Sequence, residues 1–501
     1  MSDVPAGWQL SNLEHLAKAM GGGTPSKSEP RYWTNGDIPW VSPKDMKTRS
    51  ITGAEDSITR DALKRLSMIP ENSVLVVVRS GILSRTLPVA TTMIPVTINQ
   101  DMRAFHPDAG ISHEFLAWQL IANEREILAQ CSKDGTTVAS IEGNALAQFP
   151  IRVAPRAEQT RIVEKLEELL GGLDAAVAEL QAAQRKLALY RQSLLKAAVE
   201  GALTADWRAA NGRPQEPAAE LLQRILHERR SRWEQKQRAK FATQGKPPPK
   251  GWQAKYPEPV APDTTGLPEL PEEWVWASVE QLGDVTTGCT PSTSNPDYFG
   301  GGIPFFKPTD LDAGYELHSF RESLTELGAA QGRLLPANSV LVTCIGATIG
   351  KTGLARVACT TNQQINAVSP ADGIYSEYFF FVMASPFGQH QVISNASATT
   401  LPILNKSKFE KLPIPLPPLE EQRTILEQLD TALTACDAQQ AAIAHGLKQA
   451  AAQRRNLLKA AFAGQLVPQD PGDEPASALL ARIREAKIDN AGRTRAARNA
   501  K

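Results

Sequence analysis

The sequence predicts an α+β protein: two similar mixed α/β globules alternating with two long helical coiled-coil regions, in a pseudo-two-fold internal repeat. Three observations predict it. The chain is written twice, each globular half carries β-branched apolar runs bounded by Pro, Asn and Gly, and each is followed by leucines or their equivalents seven residues apart.

The duplication is read from landmarks. Trp8, Thr24, Pro25, Ser26 and Tyr32 recur as Trp274, Thr290, Pro291, Ser292 and Tyr298, each 266 positions on. IPWVSPKD (38–45) returns as IPFFKPTD (303–310), and IPENSVLV (69–76) as LPANSVLV (335–342). From Asn99-Gln100 against Asn362-Gln363 the offset is 263, and it holds through Glu158-Gln159 against Glu421-Gln422 and LLKAAVEGAL (194–203) against LLKAAFAGQL (457–466). EPAAELLQRI (216–225) answers EPASALLARI (474–483). This period far exceeds the 20 to 50 residues of solenoid repeats, so each copy is long enough to hold its own core.

Within each globule, SVLVVV (73–78) and SVLVTCI (339–345) read as buried strands, while HEFLAWQLIANEREI (113–127) and SEYFFFVMAS (376–385) read as helices. PIRVAP (150–155) and PIPLPP (413–418) give each rod a stiff approach that cannot be helical. In the first rod Leu166, Leu173, Leu180, Leu187 and Leu194 form one heptad stripe, with Ile162, Leu169, Ala176, Ala183 and Tyr190 at the interleaved positions. The second rod has Leu429, Cys436, Ile443, Ala450 and Leu457 in the matching register, with weaker companions Gln439, Gly446 and Gln453. Two rods packing on each other suit this inequality better than each seeking an identical copy. An antiparallel pair, each rod roughly 60 Å long, satisfies the repeat. The expected domains are a first globule (1–155), a central helical region (156–245), a Pro/Gly-rich linker (246–270), a second globule (271–418) and a distal helical region (419–501).

Charge and motifs narrow the function. Lys and Arg number 54 and Asp and Glu number 54, giving a net charge of zero, whereas a protein gripping nucleic acid alone usually shows a basic excess. Either it binds none, or partners supply much of the grip. Cys131, Cys289, Cys344, Cys359 and Cys436 are odd in number and scattered, which suits free thiols in a reducing cytoplasm and argues against a metal site. No charged and apolar leader opens the sequence and no run of about 18 apolar residues occurs, so a cytoplasmic protein without membrane contact is expected. IGATIGKT (345–352) has three residues between Gly346 and Gly350 where a phosphate loop needs four. Dinucleotide, zinc-protease and serine-hydrolase signatures and an Asn-Pro-Pro-aromatic tetrapeptide are missing. The expectation is a protein with no catalytic residue, no metal and no cofactor of its own.

Candidate ligand contacts sit in the loops. GGTPS (22–26) and GCTPS (288–292) are either simple turns or anion-holding turns. Asn99, Gln100, Asn362 and Gln363 carry carboxamides that can bind adenine edges in the major groove, or can cap local backbone. Lys44, Arg79, Arg85, Lys307 and Lys351 are candidate phosphate or guanine contacts, or solvated cations. Thr343 and Thr348 lie near Lys351, and Thr136, Thr137, Thr399 and Thr400 lie in polar loops of the kind that line a groove. The basic stretch 228–241 and the tail 493–501 read as solvated faces or docking surfaces before DNA readers.

GGTPS, GDIPWVSPKD, SVLVVVRSGI and the closing PLPPLEEQRTI into a long heptad helix, given in two copies, resemble the specificity subunit of type I restriction-modification systems over almost the whole chain. The resemblance implies that the globules are target recognition domains, each reading one half of an interrupted double-stranded DNA site, and that the helices act as ruler and docking platform. It further implies two modification subunits that bind S-adenosylmethionine and methylate adenine, and restriction subunits that use ATP. Partners of that kind would account for the neutral charge. VRSGILSRT against CIGATIGKT, and TINQDM against TTNQQI, predict that the halves present different chemistry and that the target is non-palindromic. Two other classes remain: a structural adaptor whose globules bind protein, told apart by a methyltransferase-free pull-down, and a free-standing enzyme, told apart by turnover of the chain alone.

Overall fold

The computed structural model describes residues 4–64, 66–133, 138–397 and 401–499, with side chains of the last helix described to residue 489. Contacts group the chain into two compact units, 1–181 with 444–501, and 182–443.

In the first unit a five-stranded sheet runs in the order Ala17–Gly21, Met102–Pro107, Val74–Val77, Val89–Thr92, Ser50–Ile51. The strand Val74–Val77 within the apolar run is its fully buried centre, paired antiparallel on both sides (Val74 opposite Phe105 and Thr91). Asn72, at φ 60°, turns the chain into that strand, a left-handed conformation that Asn tolerates. A smaller sheet, Asp56–Ile58, Ile38–Val41, Thr97–Ile98, and the helices His113–Ala122 and Glu124–Cys131 complete the globule. The helical patch at 113–127 thus breaks at Asn123, whose amide donates to the Gln119 carbonyl (2.7 Å).

The second unit repeats the plan. Gly283–Thr287, Ile365–Pro370, Ser339–Thr343 and Thr352–Ala355 make a four-stranded sheet, Asn338 (φ 64°) replaces Asn72, and Ser376–Ala384 and Pro386–Ser394 replace the helix pair. Each globule is closed by a strand pair that joins its two ends: Gln9–Asn12 with Pro150–Val153, and Val275–Ser278 with Pro413–Leu416. Both proline-rich approaches are therefore strands.

The long helices span Arg156–Val199 and Leu419–Phe462. In the first unit Ile162, Val163, Leu166 and Leu170 pack with Leu458, Ala461 and Phe462, and Leu180 reaches Gly446, so the segments run antiparallel. In the second unit Leu194, Ala198 and Val199 share a core with Ile425 and Leu429. The stripe through Leu166, Leu173, Leu180, Leu187 and Leu194 faces inward, as does its counterpart through Leu429, Cys436, Ile443, Ala450 and Leu457. Its companions agree only in part: Ile162 is buried and Leu169 is partly covered. Ala176, Ala183 and Tyr190 are exposed, whereas Leu170, Val177, Arg191 and Ala198 are partly or wholly covered. In the second helix Gln439 and Gln453 are exposed, while Leu433, Gln440, Leu447, Arg454 and Ala461 are covered. Leucine spacing fixes one edge of an apolar stripe and leaves open on which side the partner approaches.

Each unit is finished by the trailing helix of the other sequence repeat. Ala476, Leu479, Leu480 and Ile483 of the helix Ala476–Asn499 join the core of the first globule, and Ala218, Leu221 and Ile225 of Ala218–Thr243 join that of the second. The latter helix runs through the basic stretch 228–241, where Trp233 stacks on Trp252 of the linker (5.7 Å between rings). Among the described residues no helix is long and apolar enough to cross a membrane, and no group of His, Cys, Asp and Glu could hold a metal ion.

Candidate nucleic-acid interface

The candidate surface of each globule is built where the Gly-Thr-Pro-Ser turn meets the Asn-Gln loop. The Gly23 amide donates to the Ile98 carbonyl (2.9 Å) and the Cys289 amide to the Thr361 carbonyl (2.9 Å). So close an approach excludes a side chain: a Cβ on Gly22 would lie 2.2 Å from the Asn99 carbonyl oxygen, and one on Gly288 2.1 Å from that of Asn362. The Thr24 hydroxyl donates to Gln100, and the Thr290 hydroxyl to Gln363 (2.6 Å), tying turn to loop in the same way in both copies.

This geometry separates the carboxamides. Asn99 and Asn362 are buried, at 6% and 7% exposure. Their oxygens accept from the amides of Asp101 (3.1 Å) and Gln364 (3.2 Å), and their Nδ2 groups donate to the same residues' side chains. They shape the loop and leave Gln100 and Gln363 exposed on it. With Oε1 occupied by threonine, each Gln keeps its Nε2 group as a donor.

The cations fall into two groups. Lys44 lies 3.0 Å from Asp56 and 3.2 Å from Glu55, and the hydrogen bonds to these two carboxylates raise its pKa. Lys307 pairs with Glu322 and Lys351 with Asp312 (2.5 Å). Arg79 and Arg85 are exposed, with no ion pair among the described residues. Thr348 is exposed, but Thr343 is wholly buried with its hydroxyl unpartnered at the end of the central strand. The intervening loop closes as a turn, with Gly346 and Gly350 at φ 100° and 89° and the Gly350 amide donating to the Thr343 carbonyl (2.8 Å). Thr136, Thr137, Thr399 and Thr400 lie outside the described residues.

Sequence reasoning used the Glu-Gln pair at each long helix only as a landmark. It is the joint between helix and globule. Trp8 Nε1 donates to Glu158 (2.9 Å) and Trp274 Nε1 to Glu421 (2.7 Å), while Gln159 and Gln422 accept from the amides of Ser112 (2.9 Å) and Tyr375 (3.1 Å). Burial raises the pKa of Glu158, partly offset by the Trp8 hydrogen bond. The recurrence of a polar pair at the start of an otherwise heptad helix was the available signal. Burial pushes the Cys344 thiol up to about 12, whereas Cys289 in the second turn is half-buried.

A crossed pair of ion pairs ties the long helices. Arg191 meets Asp437 within the second unit and Arg454 meets Asp174 within the first, and these residues are related by the repeat offset of 263.

Comparison with known proteins agrees with this duplicated design. The model of the type I restriction modification DNA specificity domain matches residues 5–181 and again 271–449. The chain belongs to that family and carries two copies of its domain. The specificity subunit of the Escherichia coli enzyme EcoR124I/EcoR124II is 39% identical over 192 residues, 37% of this chain and 48% of that protein. The MjaIX specificity subunit of Methanocaldococcus jannaschii is 30% identical over 179 residues, 35% of this chain and 40% of that protein. The matched stretch thus spans about half the length of these relatives or less. The EcoDI specificity subunit of E. coli matches over 76% of this chain and 78% of its own length, at 23% identity. A solved type I R-M system chain superposes with a TM-score of 0.67 at 19% identity, covering 93% of this chain and all of its own. The HsdS subunit from Thermoanaerobacter tengcongensis gives 0.51 at 20% identity, covering 92% and 98%.

Proposed function

We propose that this chain is the non-catalytic DNA-reading subunit of a type I restriction-modification complex. Each globule reads one half of a bipartite double-stranded site. The antiparallel helices fix the spacer and dock two modification subunits that carry S-adenosylmethionine, to which ATP-dependent restriction subunits add cleavage. The observation that carries this reading is one loop framework, Gly-Thr-Pro-Ser against Asn-Gln, built in both globules with different side chains around it. Gln100, Arg79 and Arg85 in the first globule, and Gln363, Thr348 and Lys351 in the second, are the proposed contacts, with Asn99 and Asn362 holding the loops. Lys44 and Lys307 would join them by exchanging their carboxylates for phosphate. Thr343 sits behind the second surface, and Thr136, Thr137, Thr399 and Thr400 belong to the same proposal.

The ruler is tested by removing one heptad from each helix, Val177 to Ala183 and Gln440 to Gly446, which leaves both crossed ion pairs in place. Each rod loses about 10 Å. The complex with modification subunits should then methylate a site whose two half-sequences are unchanged and whose spacer differs by about three base pairs. An unaltered spacer would contradict the ruler.

A further inference from the structure

We infer that the first globule holds a guanine-reading recess built on Arg103, for which the second globule has no counterpart; this rests on the DNA-reading role proposed above. The recess is a cavity of about 230 Å³ lined by Gly22, Gln100, Met102, Arg103, Lys133 and Gly143, among others. Arg103 projects from the strand Met102–Pro107, where it pairs with Gly21. Its guanidinium lies against glycines on two sides: a Cβ on Gly21 would come within 3.3 Å of Nη1, and one on Gly143 within 3.6 Å of Nη2. Space for a flat fork is thereby kept open.

The chemistry of the lining is one-sided. Among the described residues Arg103 and Lys133 have no ion pair and no carboxylate lines the cavity. The Gln100 oxygen accepts from Thr24, which leaves both hydrogens of its amide free to donate. Asp101, next in the chain, is held by Asn99. A recess whose two charged side chains are cations and whose carboxamide has free N–H groups calls for a ligand rich in acceptors. On duplex DNA the groups that present two acceptors side by side to a planar fork are the N7 and O6 edge of guanine and the backbone phosphate. A planar fork with a carboxamide donor beside it favours the base edge, which takes two parallel N–H bonds from arginine.

In the second globule the equivalent strand residue is Asn366, opposite Thr287, the counterpart of Gly21. Asn366 is 3% exposed, accepting from the Thr287 hydroxyl (2.7 Å) and donating to the Leu404 carbonyl (3.5 Å). Ala396 stands where Lys133 does. The two half-sites are therefore expected to differ in a guanine that only the first requires.

The test uses the full chain assembled with its modification subunits on a library of bipartite sites, read by methyladenine sequencing. The wild-type complex defines both half-sites. Arg103→Ala and Arg103→Lys should each relax one G·C position of one half-site, losing roughly ten- to a hundredfold in discrimination there, while the other half-site is read unchanged and serves as the control for folding. Lysine keeps the charge but not the fork, so a phosphate contact would leave Arg103→Lys near wild type and make Arg103→Ala weaker at every sequence alike; that result, or an unchanged motif in both, would overturn the guanine assignment. A wild-type complex that methylates no bipartite motif would overturn the DNA-reading role itself.

Discussion

The two globules share strands, turns and joints, yet equivalent positions carry different chemistry. Where the first has an exposed arginine over two glycines, the second has a buried asparagine bonded to its own framework. The joints differ too. Glu421 is 1% exposed and accepts from Trp274, from Thr204 (2.5 Å) and from Arg208, whereas Glu158 accepts from Trp8 and leaves its other oxygen buried without a partner. Arg208 and Thr204 come from the segment after the first long helix, so the second joint recruits a cation that the first does not place on its glutamate. Duplication kept the scaffold, and divergence acted on the groups bonded to it.

That difference is open to mutation. Glu421→Ala strands a half-buried arginine together with the Trp274 and Thr204 donors, and should cost about 3–5 kcal/mol in the second unit by denaturant unfolding. Glu158→Ala removes one satisfied hydrogen bond and should cost only about 1–2 kcal/mol in the first. Equal losses would erase the distinction. Gly22→Ala and Gly288→Ala force the turn off the Asn-Gln loop and should cost about 1–3 kcal/mol each. Each should abolish methylation directed by its own half-site before it affects the other, as read on hybrid sites.

Smaller effects sharpen the comparison further. Burial raises the Glu158 pKa, so between the ordinary carboxylate range and that raised value the folded state holds a proton the unfolded state has released, and stability falls as pH rises through the window. Glu158→Gln removes this term. The variant should match or exceed wild type at neutral pH by less than about 1 kcal/mol and lose that advantage below about pH 4, as thermal unfolding would show. The crossed ion pairs are largely exposed, so reversing Arg191 or Arg454 alone should cost about 0.5 kcal/mol, recovered by reversing Asp437 or Asp174 with it and diminished in high salt.

Much of this architecture was legible because duplication gives a sequence an internal control. The runs at 73–78 and 339–345 announced buried strands twice, and the leucine stripe announced the helix pair. What escaped notice depended on partners distant in the chain. Nothing local says that Ala218–Thr243 completes the second globule or Ala476–Asn499 the first, since an amphipathic helix shows that it has a buried face without showing what covers it. Local sequence likewise could not decide whether Asn99 or Gln100 faces outward; the close approach of Gly22 settles it. Arg103 was overlooked because its neighbours Gly21, Lys133 and Gly143 come from separate segments.

The most direct test of the central claim is methyladenine mapping of native DNA from the source cell with and without this gene. Loss of one non-palindromic bipartite motif, with all other methylation intact, is the predicted result. An unchanged methylome in cells that express the modification subunits would contradict it.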